Sequence, residues 1–496
     1  MKKDIPHILH LQKKYFTSNA TKPLKARLKA LSCLQDSIKA HEDEILHALL
    51  KDLNKCKEEA YISEIFQVYE EIKSAKQWVK SLSKPKRVKT PLSHFGGKSE
   101  IYYEPYGVVL IISPWNYPIN LSLSPLIGAI ACGNCVILKP SEYAPHCASV
   151  LAKIVQSAFE STQVAIVQGD STIGASLLEQ KFDYIFFTGS VNVGRIVLQE
   201  AAKKLTPATL ELGGKNPCII QDYKDSATTA KRIMWAKLLN VGQTCTVPDY
   251  LLVRETLKEE LIAKLIESMT SLYAPHALKQ SESELQISIL NNQEYGKIIS
   301  HRHFERIISL FEDTKRILGQ DCVIFGGKSD EKALKIAPTL LDMGNIRDYI
   351  SKQDSINPKR DMRILHEEIF APILPIFTYH DLSECRAFIQ SFEKPLSLYI
   401  FSDDKCKQRE IIESVSFGGG CVNDCIIHLA NNHLPFGGVG NSGMGSYHGR
   451  HSAKTFARKK AIYTAPHFDL PLRYPPFSKK LFGLNRLTIL RKIFGV

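Results

Sequence analysis

An α/β protein with two largely parallel sheets is the fold class that the sequence predicts, and three observations predict it. Short β-branched runs recur at Val108–Ile112, Val136–Leu138, Ala165–Val167 and Tyr184–Phe187, each followed by a segment of helical character. Strands alternating with helices are the mark of βαβ units. A second set, Cys218–Ile220, Tyr250–Val253, Ile373–Thr378 and Leu398–Phe401, follows Glu211, with helical stretches such as Leu257–Leu272 between its members. The chain has 496 residues, more than one ordinary core accommodates, so the two sets belong to separate domains.

Taken in order, the first ninety residues read as helical, with Leu28, Leu31, Leu34 and Ile38 at a spacing of three to four. A Pro/Gly/Lys loop, SKPKRVKTPLSHFGGK, closes that region. The longest uncharged stretch, Pro118–Leu138, has the length of a bilayer span. Asn120, Pro125, Gly128 and Gly133-Asn134 divide it instead into a loop, a short buried helix and the start of a strand. From Phe417 the chain turns Gly-rich, and no internal repeat or low-complexity tract is present.

Composition narrows the function. Hydrophobic content of 44% and charged content of 23% are those of a soluble globular protein. The twelve scattered cysteines read as reduced thiols in a cytoplasmic protein. MKKDIPHILHLQKKYF begins basic, but charge returns within a few residues, so no secretory signal is read there. Net charge is +13, yet ten Lys/Arg against one Asp lie between His451 and Val496, leaving the body near neutral. No basic stripe interleaved with aromatics appears, so nucleic acid is not a predicted partner.

Gly438-Val439-Gly440-Asn441-Ser442-Gly443 matches G-x-G-x-x-G literally. It lacks a preceding strand and a following acidic residue, and reads as a structural loop. YIFFTGSVNVGRIV, residues 184–197, is a better anion site: a buried strand enters Gly189, and Ser190, Asn192 and Gly194 lead into a helix. CVILKPSE, residues 135–142, ends a strand with Lys139-Pro140-Ser141-Glu142, where ligands of open sheets sit. Cys132 and Cys135 with Cys421 and Cys425 would supply four thiolates, but the first pair reads as packed core, so no metal site is predicted.

Three fragments carry nucleophile chemistry. In NVGQTCTVPDY, residues 240–250, Cys245 lies on a sharp connection between a helical segment and a strand, behind Gly242. A reacting thiol needs such access, whereas an inert one does not. In TLELGGKNP, residues 209–217, Glu211 stands in an otherwise apolar strand before two glycines. Desolvation there raises a carboxylate toward a useful general base. In ISPWNYP, residues 112–118, Asn116 is held between two aromatics, as an oxyanion donor must be.

Together these pieces resemble the aldehyde dehydrogenase superfamily. GQTC, LELGGK, PWNYP, KPSE, FTGS and HEEIFAP occur in that family's order, over roughly residues 10–475. GVGNSGMGSYHG and RYPP look like its class 3, fatty and aromatic aldehyde branch. The resemblance implies that Cys245 attacks the aldehyde, that Asn116 and the Cys245 N–H hold the oxyanion, and that Glu211 activates water against the thioester. It implies NAD or NADP as cofactor, on Lys139, Glu142, Gly189, Ser190, Val193, Gly194, Leu212, Gly213, Glu368 and Phe370. Tyr117, Trp235 and Leu239 suggest an apolar funnel, or equally core.

The expected architecture is a Rossmann-like cofactor domain (1–87 and 108–210), an α/β catalytic domain (211–420) and a bridging element (88–107 and 421–460) that makes a homodimer. A basic-apolar tail (461–496) completes it. The tail segment FSKKLFGLNRLTILRKIFGV is open to two readings, a peripheral membrane contact or a segment packed on a partner subunit. Two departures from the family stand beside Glu368: Ala371 replaces a usual Gly, and the connection from Pro338-Thr339 to Glu368 is longer than the family's usual spacing by about a dozen residues.

Overall fold

The computed structural model describes residues 4–277, 280–350, 358–469, 473–481 and 483–494. In chain order the first strands are β1 (Lys86–Val88), β2 (Lys98–Pro105), β3 (Val108–Ile112), β4 (Cys135–Lys139), β5 (Val164–Ile166), β6 (Tyr184–Thr188) and β7 (Ala208–Glu211). The next are β8 (Pro217–Ile220), β9 (Tyr250–Arg254), β10 (Val323–Phe325), β11 (Ser329–Asp330), β12 (Lys335–Ile336) and β13 (Thr339–Asn345). The last are β14 (Ile373–Tyr379), β15 (Ser397–Phe401), β16 (Gly419–Val422), β17 (Gly443–Met444) and β18 (Ala457–Thr464).

The first sheet runs β17-β7-β6-β3-β4-β5 and is parallel except for the short β17. Chain order proceeds outward from β3 through β4 to β5, then restarts on its other side with β6 and β7. That reversal is a topological switch point, where open sheets bind ligands at their carboxyl ends. The strands are buried on both faces, as parallel sheets must be. Val109 and Ile111 pack under the amino-terminal helices, while Val108 and Leu110 pack under Leu177 and Val197 on the other face.

The helices over Val109 and Ile111 are Leu24–Ala40, Glu42–Leu53 and Phe66–Leu82, whereas Ile5 and Leu9 of the helix Ile5–Thr17 pack on the other face with Val108 and Leu110. Leu31, Leu34 and Ile38 are fully buried, and Leu28 packs at the edge of the same core. The uncharged 118–138 stretch is the buried helix Asn120–Cys132 leading through a left-handed Gly133 into β4. No helix among the described residues is long and apolar enough to cross a membrane.

The second sheet runs β10-β13-β14-β9-β8-β15-β16, parallel except for β10, over its own core. A third sheet, β1-β2-β18, is antiparallel, and a small fourth pairs β11 with β12. Residues 421–460 are shared among the first, second and third sheets. Cys421 and Val422 end the second, Gly443 and Met444 pair with β7, and Ala457 onward joins β2. Cys132 and Cys135 belong to the first sheet's cores and Cys425 to the second's. The long connection before Glu368 holds the helical turn Arg347–Ile350; residues 351–357 lie outside the described residues.

Candidate active site

Four strand ends of the first sheet supply the first half of the site. β3 ends before Asn116, β4 ends in Lys139, β6 leads into Gly189 and β7 ends in Glu211. Lys139 is buried and pairs with Glu142 at 3.0 Å. Ser190 caps the helix Val191–Ala202, its hydroxyl accepting from the Val193 N–H at 3.5 Å. Val193, one turn in, is 45% exposed. Gly194 lets that helix approach Leu212, because a Cβ there would come 2.7 Å from a Leu212 methyl. Gly213 is in turn covered by the Glu368 carboxylate, which a side chain there would displace.

Glu211 is buried, and neither carboxylate oxygen has a hydrogen-bond partner. Burial alone holds its pKa well above the usual carboxylate range. An unpaired buried carboxylate is costly unless something else uses it.

Cys245 comes from the second half. From Asn240 to Val253 it is the one residue that is not fully buried. Burial of the thiol itself, followed by the Glu368 and Glu211 carboxylates, raises its pKa far above the ordinary thiol value. Both carboxylates therefore lie within electrostatic reach of the sulfur. Asn240, Val241 and Gly242 precede it with φ of 52°, 54° and 76°. Left-handed backbone at a β-branched valine is strained and persists only where neighbours impose it. Here the Asn240 amide donates to the Asn116 carbonyl at 2.8 Å and the Gln243 carbonyl at 3.1 Å. Gly242 sits against the Ala371 carbonyl, where a Cβ could not fit.

Asn116 closes the arrangement. It is buried, and its side-chain N–H donates to the Gln243 carbonyl at 3.0 Å. One amide hydrogen is so engaged, leaving the second for another acceptor. Tyr117 is buried beside it and bonded to Thr244 at 2.6 Å. Trp235 is 38% exposed, and Leu239 packs partly buried against the second core. Trp115 meets the Phe370 ring edge-on at 5.5 Å, which joins the Asn116 loop to the Glu368 segment.

Glu368 is raised to about 8, first by burial and then by Asp249. Its segment is pinned through the backbone. Arg306 donates to the Glu368 and Ile369 carbonyls at 3.1 and 2.7 Å, and Asp249 accepts from the Ile369 N–H at 3.1 Å. Lys215 pairs with Asp249 and donates to the Glu367 carbonyl at 3.1 Å. Asn216 donates to the carbonyls of Cys245 and Val247 at 2.7 and 3.1 Å.

Sequence reasoning missed this polar frame, although Lys215 and Asn216 stand in the LELGGKNP fragment that drew attention to Glu211. It also missed Tyr447, a buried phenol within electrostatic reach of Glu211 and Cys245. Its signal was an aromatic inside the Gly-rich run GMGSYHG, which had been read only as a family marker.

The aldehyde dehydrogenase family model matches residues 1–462. A 4,4'-diaponeurosporen-aldehyde dehydrogenase of Staphylococcus aureus is 42% identical over 94% of this chain and 95% of its own. A dimeric NADP-preferring aldehyde dehydrogenase of Canis lupus familiaris is 37% identical over 96% of this chain and 99% of its own. A solved substrate-bound AldH of Staphylococcus aureus superposes with a TM-score of 0.88 at 40% identity, covering 99% of both chains. With a family model over nearly its whole length and relatives of this likeness, family 3 members among them, the chain belongs to the aldehyde dehydrogenase family, in its class 3 branch.

Proposed function

We propose that the protein oxidises a hydrophobic aldehyde to its carboxylic acid with Cys245 as nucleophile, Asn116 as oxyanion donor and Glu211 as general base. The observation that carries this reading is Glu211: a buried carboxylate with both oxygens unpartnered, in electrostatic contact with the one accessible residue of the 240–253 stretch. Structural roles do not leave a carboxylate in that state.

The Cys245 sulfur adds to the aldehyde carbon, giving a tetrahedral thiohemiacetal. The free amide hydrogen of Asn116 and the Cys245 N–H stabilise its oxygen. Glu211 accepts the thiol proton through solvent and releases it to bulk water, then accepts a proton from the water that attacks the thioester, whose C–S bond breaks to return the Cys245 sulfur and free the acid. The raised pKa values of both groups make proton removal from each easier as pH rises.

NAD or NADP fits the residues present. The Ser190-capped helix amino terminus and the Gly194–Leu212 approach form an anion cradle beside the Lys139–Glu142 pair. Ribose hydroxyls suit Lys139 and Glu142 at one end and Glu368 at the other, with Val193 and Phe370 as apolar walls. The nicotinamide, when bound, supplies the hydride acceptor.

Tyr117, Trp235 and Leu239 form the wall of the aldehyde funnel in this reading. The Staphylococcus aureus relative is named for 4,4'-diaponeurosporen-aldehyde, which supports an aldehyde as substrate. In this reading 1–87 and 108–210 hold the cofactor, 211–420 the cysteine, and 88–107 with 421–460 bridge two copies, with β16 and β17 tying part of 421–460 to the two large sheets. The dimeric name of the canine relative and the exposed Ile462 and Tyr463 of β18 support a homodimer. Twelve free cysteines suit a reducing cytoplasm. Arg491 and Lys492 on the helix Arg486–Phe494 favour a peripheral membrane contact for the tail.

The test is reduced-nicotinamide formation with aldehydes of rising chain length, with NAD and with NADP, in the presence and absence of coenzyme A. Product without coenzyme A and a rate that grows with chain length support the reading. A strict requirement for coenzyme A would replace it with an acylating enzyme, and no gain with length would remove the funnel.

A further inference from the structure

Between Lys55 and Glu64 three ionisable side chains turn inward together, well before any residue of the site in sequence. Glu64 is fully buried. One oxygen accepts from Lys55 Nζ at 2.9 Å, and the other from the N–H groups of Ile119 and Asn120 at 3.1 and 2.9 Å. Lys55 Nζ lies 4.2 Å from the centre of the Tyr117 ring. Glu59 Oε1 accepts from the N–H of Asn240 at 2.8 Å.

The backbone explains how one short segment does this. Residues 61–65 form a single π turn, Tyr61–Ile65. In an ordinary α-helix, residues five apart point about 140° away from each other. A turn closed by i→i+5 bonds brings such residues to the same side. The Glu59 and Glu64 carboxylates are close enough for Glu64 to disfavour ionisation of Glu59, although burial weighs more and Lys55 opposes it.

The segment thus grips both walls of the oxyanion pocket. Glu64 and Lys55 hold the 116–120 wall, and Glu59 holds the 240–245 wall. The walls already touch, through Asn240 to the Asn116 carbonyl and through Asn116 to the Gln243 carbonyl. Asn240 is the shared member, and it is left-handed and buried. An acceptor on its N–H resists relaxation of that strained backbone toward ordinary angles.

We infer that Glu59 is a positioning residue of the oxyanion pocket: by holding the Asn240 backbone it sets the Asn116 amide and the Cys245 N–H at the separation that a tetrahedral oxyanion requires. This rests on the roles given above to Asn116 and Cys245. A neutral acceptor of the same length serves, because the contact is a hydrogen bond to one N–H.

The test compares two reactions of the same sulfur in the full-length protein. Hydrolysis of p-nitrophenyl acetate, corrected with Cys245→Ala, passes through a tetrahedral oxyanion. Alkylation of Cys245 by iodoacetamide, followed by peptide mass, does not. Glu59→Ala lowers the hydrolytic kcat about tenfold, the scale of a displaced oxyanion donor. It leaves alkylation and NAD affinity within about twofold, since neither uses that geometry. Glu59→Gln recovers most of the loss. Should the alanine variant fail to fold, Glu59→Asp, which retracts the oxygens by one methylene, provides the same comparison.

Wild-type hydrolysis in the shortened variant would overturn the inference. So would alkylation falling in step with hydrolysis, or a glutamine variant no better than alanine. Asn116→Ala separates the two levels. If it leaves hydrolysis unchanged, the oxyanion assignment itself fails. If it slows hydrolysis while Glu59→Ala does not, only the role of Glu59 fails.

Discussion

The two large sheets present opposite ends to the site. In the first, the residues of the proposed site follow strands: Asn116 after β3, Lys139 closing β4, Gly189 and Ser190 after β6, and Glu211 closing β7. In the second, they precede strands: Asn216 before β8, Cys245 and Asp249 before β9, and Glu368 before β14. The first arrangement is the general one, in which parallel strands deliver ligands to helix amino termini and backbone N–H groups. The second has no such rule to rely on. Its loops are fixed by side-chain bonds from Asn216, Gln243, Asp249 and Arg306 to backbone groups, and by left-handed turns that those bonds hold. The lesson is that regular strand ends alone place the first sheet's contribution, whereas Cys245 and Glu368 of the second depend on left-handed turns in a buried polar frame.

Substitutions can break or sharpen that contrast. Cys245→Ala removes the nucleophile and lowers aldehyde oxidation by about 10⁴-fold, with cofactor affinity unchanged by titration of protein fluorescence. Asn116→Ala, at the seam, lowers kcat by about 10²–10³-fold with little change in cofactor KM. Gly194→Ala belongs to the first sheet alone. The added methyl pushes the Val191–Ala202 helix off Leu212 and raises the cofactor KM about tenfold at nearly constant kcat. A kcat loss there instead would mean that this helix also sets the reacting groups rather than the cofactor alone.

The smallest effect lies in the helical layer over the first sheet. Glu71 is buried, accepts from the Gly449 N–H with both oxygens, and is raised to about 7, mainly by burial. Its folded pKa exceeds the unfolded value. Its contribution is therefore complete below about pH 4.5 and is lost as pH rises through 7. Glu368, raised to about 8, acts in the same direction. Glu71→Gln is expected to flatten the fall in stability between pH 5 and 8 by about 1–2 kcal/mol, read from urea unfolding at each pH.

The same contrast explains what the sequence made legible. First-sheet residues were readable because a buried strand ending in Lys-Pro-Ser-Glu or Thr-Gly-Ser announces its own strand end. Glu211 stood out because a carboxylate in an apolar strand demands a reason, and Cys245 because it lies on a sharp connection behind Gly242. The frame that fixes them was not readable. Asn216 reaches carbonyls about thirty residues on and Arg306 reaches across sixty, and nothing local marks a side chain whose partner is distant backbone. Tyr447 was hidden differently, inside a glycine-rich stretch that the sequence marks only by its likeness to a family motif. The division of residues 421–460 among three sheets was also illegible, since short strands take their partners from tertiary packing.

Trapping the acyl enzyme tests the central claim most directly. Glu211→Gln mixed with NAD and a long-chain aldehyde is expected to release one burst of reduced nicotinamide per site and then nearly stop. Its Cys245 peptide would then carry the added acyl mass. Full turnover by this variant, or acyl mass on a different residue, would contradict the account.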